Sequence, residues 1–138
     1  MKYLLDTNIC IYLIKRKPAH ILDRFRAEKP GDIGISVITV AELQYGVAKS
    51  QRPQQNQESL DAFLTPLVVM DFDDAAAHIA GHIKAALEKQ GTPIGAYDLL
   101  IGAHALALET TLITNNVREF QRIPGLRLEN WAEMPNQS

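Results

Sequence analysis

Three acidic residues stand where chemistry can be built. Asp6 lies in Asp6-Thr7-Asn8, directly after the short apolar run Tyr3–Leu5. Glu42 follows the β-branched run Ile33–Ile38 by a few residues, and Asp98, in Gly95-Ala96-Tyr97-Asp98, opens a nearly all-apolar stretch, Leu99–Leu108. Each has an ordinary explanation. Aspartate is a good helix N-cap, so Asp6 fits a plain cap, although Thr7 or Asn8 would serve as well. Thr39-Val40-Ala41-Glu42 spells a capping box, and an acid in a first helical turn, as at Asp98, complements the helix dipole. The apolar stretch after Asp98 demands burial, however, and a buried carboxylate needs a partner or a cation. Acids gathered at one place repel one another unless a cation sits between them. An all-oxygen donor set favours Mg²⁺ or Mn²⁺ over zinc, and such an ion activates water and stabilises charge on a phosphoryl oxygen.

Convergence depends on the elements that carry the acids. Tyr3–Leu5 reads as a strand and Ile9–Lys15 as a helix. Pro18 opens a second helix through Phe25, and Lys29-Pro30-Gly31-Asp32 is a turn. Ile33–Ile38 reads as a buried strand and Thr39–Lys49 as a helix begun at Thr39. The polar segment Ser50–Glu58 reads as a connector to a helix ending near Leu64. Leu67–Met70 is a strand, and Asp73 or Asp74 caps a long helix to about Gln90 with Ile79, Ile83 and Leu87 on one face. After the break at Gly91-Thr92-Pro93, Ala96–Glu109 is a buried helix. Thr111–Thr114 and Leu126–Glu129 are the last strands. Strands alternating with helices predict an α/β fold: one domain over 1–132, a central parallel sheet of four to five strands covered by helices on both faces, and a polar tail over 133–138. In such sheets sites form beyond the carboxyl ends of the strands, where strand order reverses. All three acids fall on that edge.

Composition excludes other classes. The 138 residues carry 46% hydrophobic and 22% charged side chains, which argues against wholesale disorder. The single cysteine, Cys10, cannot form an internal disulfide and reads as a small core residue. Asp6 and Asn8 split the first apolar run, unlike a secretory leader, and no stretch approaches the ~18 apolar residues of a membrane span. A cytoplasmic protein is expected. The net charge of −2 gives no global nucleic-acid signature, and the clusters Lys15-Arg16-Lys17, Arg24/Arg26/Lys29 and Arg118/Arg122 read first as solvated helix faces.

Other constellations carry less. His78 and His82, spaced i, i+4, lack a third ligand for zinc. His104 in the apolar helix reads as a satisfied core histidine. Asp71-Phe72-Asp73 has the spacing of a phosphatase nucleophile loop but no small hydroxylated residue after it, and there is no phosphate-binding glycine loop. A receiver-type domain would want paired acids after the first strand and a lysine after the last. A non-catalytic binding module remains open on the residues alone.

Four blocks, MKYLLDTNICIYLI, SVITVAELQYGVAKS, GTPIGAYDLLIGAHAL and LITNNVREFQRIPGLRLENW, resemble in order a PIN-domain endoribonuclease, closest to the VapC toxins of bacterial toxin–antitoxin pairs. The resemblance runs from about Lys2 to Trp131. It implies that Asp6, Glu42 and Asp98 form a Mg²⁺ site (Mn²⁺ is an alternative) for hydrolysis of RNA phosphodiesters by a metal-activated water. Many relatives carry a fourth acid where this chain has Asn116; that position or Glu119, one turn later, would complete the catalytic set. Thr7, Asn8 and Thr114 would orient the acids or a phosphate, and Arg118 and Arg122 would contact RNA phosphates. Implied partners are structured RNA, often transfer RNA, a second copy of the chain, and a VapB-like antitoxin whose C-terminal segment crosses the active site.

Overall fold

The structure, a computed structural model, describes residues 1–133, so most of the tail expected over 133–138 lies outside the described residues. Five strands form one parallel sheet: β1 (Tyr3–Leu5), β2 (Ile33–Ser36), β3 (Val68–Met70), β4 (Thr111–Ile113) and β5 (Arg127–Glu129), in the order β3-β2-β1-β4-β5. β1 pairs Tyr3 with Ile33 on one side and with Thr111 on the other, so Leu5, Ile35 and Ile113 stand level across three strands. Among the described residues seven helices connect them: α1 (Thr7–Lys15), α2 (Ala19–Arg26), α3 (Val37–Ala48), α4 (Pro53–Leu64), α5 (Asp74–Lys89), α6 (Ala96–Ala107) and α7 (Val117–Phe120).

The period-two alternation of a strand builds two cores. Leu5, Ile33, Ile35 and Ile113 face one side, where Ile9, Cys10 and Leu13 of α1, Ile21 of α2, Leu43 of α3 and Leu60 of α4 cover them. Leu4 and Leu112 face the other, beneath Leu87 of α5, Ile101 and Ala105 of α6, Phe120 and Ile123. Gly102 permits this second layer to close, since a Cβ there would stand 2.5 Å from Cδ1 of Ile123.

Two boundaries differ from the sequence reading. β2 ends at Ser36 rather than Ile38, because the Ser36 hydroxyl accepts the Ile38 N–H at 3.0 Å and caps α3 two residues earlier than expected. The β-branched run Val37–Val40 is therefore helical despite its strand-like composition, which local capping overrides. The connector over Ser50–Glu58 is largely helix as well: Pro53 occupies the first turn of α4, where a missing N–H costs nothing.

The chain builds β1, β2 and β3 outward in one direction, then returns to lay β4 on the opposite side of β1. Strand order thus reverses between β1 and β4. Asp6 leaves the end of one of these strands and Thr114 the end of the other.

Candidate active site

Asp6 is held from three sides. Its backbone N–H donates to the Ile113 carbonyl at 3.0 Å, Oδ1 accepts the Ile9 N–H at 2.9 Å as the α1 cap, and Oδ2 accepts the Thr114 hydroxyl at 2.5 Å. The residue is 3% exposed. Capping and site-building are therefore done by one carboxylate, an oxygen for each. Burial pushes its pKa up to about 6, with the charge of Glu42 adding to the rise, against the bonds from Thr114 and Ile9.

Glu42 is not part of a capping box. With α3 starting at Val37 it lies in the second turn, too far along to reach the orphan donors of the N-terminus. Its Oε1 instead accepts the Thr7 hydroxyl at 2.6 Å, across from α1. Thr7 also lies 3.5 Å, oxygen to oxygen, from the buried Thr39 hydroxyl.

Asp98 stands half-buried in the first turn of α6, whose N-cap is Gly95. Its pKa is pushed up to about 7, chiefly by desolvation and then by the charge of Glu119, with Asp6 and Glu42 adding to it. Glu119, on α7, accepts the Gly95 N–H on Oε1 at 2.7 Å and the Asn116 side-chain amide on Oε2 at 2.8 Å. Those donors, the Gly95 N–H foremost, hold Glu119 below the usual carboxylate range. Asn116, the N-cap of α7, also donates its backbone N–H to Thr114 Oγ1 at 2.9 Å.

Asp6, Glu42, Asp98 and Glu119 therefore share one electrostatic environment at the β1–β4 switch point. The ion pairs among the described residues, Lys2–Asp32, Arg24–Glu28 and Arg24–Glu129, involve none of them. Nor, among the described residues, are three such ligands already drawn together into a closed metal cage. The all-oxygen, acid-rich donor set fits a hard divalent cation by charge and chemistry.

The remaining expected site residues divide. Thr7 and Thr114 each hold an acid. Asn8 is exposed on the first turn of α1, and among the described residues its side chain makes no hydrogen bond to the acids. Arg118 is exposed, and Arg122 donates to the Pro93 carbonyl at 2.9 Å while its charge reaches Glu119. His104 is buried with Nδ1 2.8 Å from Ser36 Oγ, and Nε2 has no hydrogen-bond partner, so the expectation of a satisfied core histidine holds for one nitrogen. His78 and His82 stack on the exposed face of α5 with ring centroids 4.2 Å apart. Asp73 caps α5 through the Ala76 N–H at 3.0 Å.

A groove of about 400 Å³ opens beside Glu42 between α1, α3 and α4, with Ile11, Ile14, Leu43 and Leu60 in its walls and Lys15 at its edge. Sequence reasoning missed this feature because its α4 wall begins in a segment read as a connector.

The PIN domain family matches residues 3–126. A "tRNA(fMet)-specific endonuclease VapC" of Shigella flexneri is 45% identical over 132 residues, covering 96% of this chain and 99% of its own length. A "Ribonuclease VapC2" of Rickettsia felis is 48% identical over 132 residues, covering 95% and 98%. Among solved structures, a DNA-bound VapBC from Salmonella typhimurium aligns with a TM-score of 0.90 at 46% identity, covering 95% of this chain and 98% of the other.

Proposed function

This chain belongs to the PIN-domain family, among the VapC ribonucleases, and on that premise we propose that it is the toxin of a toxin–antitoxin pair, an endoribonuclease that hydrolyses RNA phosphodiesters at its acidic site. The observation that carries this reading is the set of acids at the β1–β4 switch point, none of them in an ion pair among the described residues. Asp6 and Asp98, supported by Glu42, are the residues that would hold Mg²⁺, with Mn²⁺ as a substitute. Such an ion supplies a water activated near neutral pH and charge neutralisation at the phosphate.

The chain's own residues provide the rest. Thr114 and the Ile9 N–H fix the two oxygens of Asp6, so its lone pairs are oriented before a ligand arrives. Thr7 does the same for one oxygen of Glu42. Glu119, anchored by Gly95 and Asn116, lies against Asp98 and supplies the charge that Asn116 lacks. Asn116 thus acts through Glu119 rather than as a ligand. Arg118 and Arg122 lie close enough in sequence to the site to contact phosphates flanking the cleaved bond.

The substrate class is structured RNA, by similarity to a relative named for a transfer RNA, and the reaction takes place in the cytoplasm. The cognate partner is a VapB-like antitoxin, because similar chains are found in VapBC complexes. Its C-terminal segment would lie in the groove beside Glu42, where an arginine would pair with the acids of the site. Two toxin copies form a homodimer. Among the described residues, no helix is long and apolar enough to cross a membrane.

The test is cleavage of total and transfer RNA by purified wild type and Asp98→Asn, each with Mg²⁺ or EDTA. Discrete fragments from wild type with Mg²⁺ alone are expected. No cleavage by folded, metal-loaded, antitoxin-free wild type would overturn the assignment in favour of a binding module.

A further inference from the structure

The chain has four tyrosines, and they fall into two pairs. Tyr3 packs edge-on against Trp131 with centroids 5.3 Å apart, and the Tyr12 hydroxyl accepts the Asn115 amide at 2.8 Å; both belong to the packed interior. Tyr45 and Tyr97 are 65% and 57% exposed. A lone exposed apolar residue needs no explanation. These two share a distinctive placement, because each adjoins a different acid of the site. Tyr97 immediately precedes Asp98 in the first turn of α6, after the small residues Gly95 and Ala96. Tyr45 follows Glu42 by three residues on α3, roughly 60° around the helix and about 4.5 Å along it. The Lys49 ammonium lies over one face of the Tyr45 ring, 4.8 Å from its centroid, so this exposed ring already carries a cation.

We propose that Tyr97 and Tyr45 form a stacking platform that grips unpaired RNA bases on the two sides of the scissile phosphate. An exposed aromatic ring offers a surface that any base can stack on, and sequence-tolerant recognition of single-stranded loops uses such rings together with nearby cations. Lys49 adds a phosphate-seeking charge next to the Tyr45 ring. The acidic site repels a phosphodiester until a cation is bound, so contacts to the bases are a way to hold RNA that does not work against that charge. The platform selects unpaired nucleotides, since bases stacked within a duplex expose no free face. The proposal rests on the reading of the acidic site as a ribonuclease, and it adds what is recognised there.

The probe is a hairpin RNA with 2-aminopurine at successive loop positions, bound by full-length protein carrying Asp98→Asn so that the RNA stays intact. Stacking on tyrosine quenches the probe. Strong quenching is expected with Tyr97 and Tyr45 present, retained in Tyr97→Phe and Tyr45→Phe and lost at separate loop positions in Tyr97→Ala and Tyr45→Ala. With Asp98 restored, each alanine variant should raise KM for the hairpin about 5- to 150-fold. Their melting temperatures should match wild type, since both rings are mostly exposed. No quenching by the parent, or equal quenching and KM in the alanine variants, would overturn the platform. Quenching without any cleavage by the Asp98 protein would leave the platform standing and remove the ribonuclease reading.

Discussion

Thr114, at the end of β4, donates its hydroxyl hydrogen to Oδ2 of Asp6, at the end of β1, over 2.5 Å. The two residues are 108 positions apart in sequence and meet because β1 and β4 are neighbours in register. The same Thr114 oxygen accepts the Asn116 N–H, so a fully buried hydroxyl links Asp6 to the start of α7, which carries Glu119. A strand-pairing decision is thereby converted into the position of two acids.

Thr114→Val keeps shape and removes that link. The substitution leaves a buried carboxylate oxygen and a backbone N–H unpaired, a loss of about 1–3 kcal/mol. Asp6 loses the larger of the two bonds that lower its pKa, so it ionises less readily, and Mg²⁺ affinity should fall about 10- to 100-fold, as for other residues that orient ligands. Urea unfolding and Mg²⁺ titration of the variant measure the two effects separately.

Much of this arrangement was legible in sequence. Short apolar strands alternating with helices gave the parallel sheet, and the sheet rule placed Asp6, Glu42 and Asp98 on one edge. The start of α3 was not legible, because Val37-Ile38-Thr39-Val40 has strand composition and only the Ser36 side-chain cap makes it helical. Glu42 consequently carried a false capping role. The anchoring of Glu119 was hidden for a different reason: its partner is the backbone N–H of Gly95, 24 residues earlier, and a backbone donor leaves no mark on residue type.

Glu42→Gln separates the two roles directly. A capping-box glutamate would affect stability when truncated and leave chemistry intact. Glu42 lies beyond the first turn and holds Thr7, so the isosteric glutamine should change unfolding free energy by less than about 0.5 kcal/mol. RNA cleavage should nonetheless fall more than about tenfold, because a charge facing Asp6 and Asp98 is gone. Paired unfolding and cleavage assays check this.

The stability of the metal-free protein should fall as pH rises through neutrality. Asp6 titrates at about 6 and Asp98 at about 7, both above the ordinary 3.8. The folded state then binds these protons more tightly than the unfolded chain does. Their contribution is fully present below about pH 4 and is lost as pH climbs through 6 and 7. Glu119, shifted downward, acts in the opposite direction at lower pH. Saturating Mg²⁺ should abolish the decline above pH 6, since the cation replaces the proton. Melting temperature against pH, with EDTA and with Mg²⁺, reads this as two curves that diverge on the alkaline side.

Asn116→Asp tests whether the site's charge is set by Asn116 or by Glu119. The amide now donates to Glu119 Oε2 at 2.8 Å. An aspartate cannot donate when ionised, and it places a further negative charge against Glu119 and, through it, Asp98. Glu119 should lose one of the bonds that keep its pKa low, and Asp98 should be harder still to ionise. In EDTA the variant should melt several degrees below wild type near pH 7, a cost of about 1 kcal/mol for a half-buried like-charge contact at this chain length. With Mg²⁺ the order should reverse, because the extra carboxylate gives the cation another oxygen and more charge to neutralise. Differential scanning calorimetry across a Mg²⁺ titration would show the two melting curves crossing. A variant that stays below wild type at every Mg²⁺ concentration would mean that Asn116 is needed as a donor to Glu119 and that no cation is held within its reach.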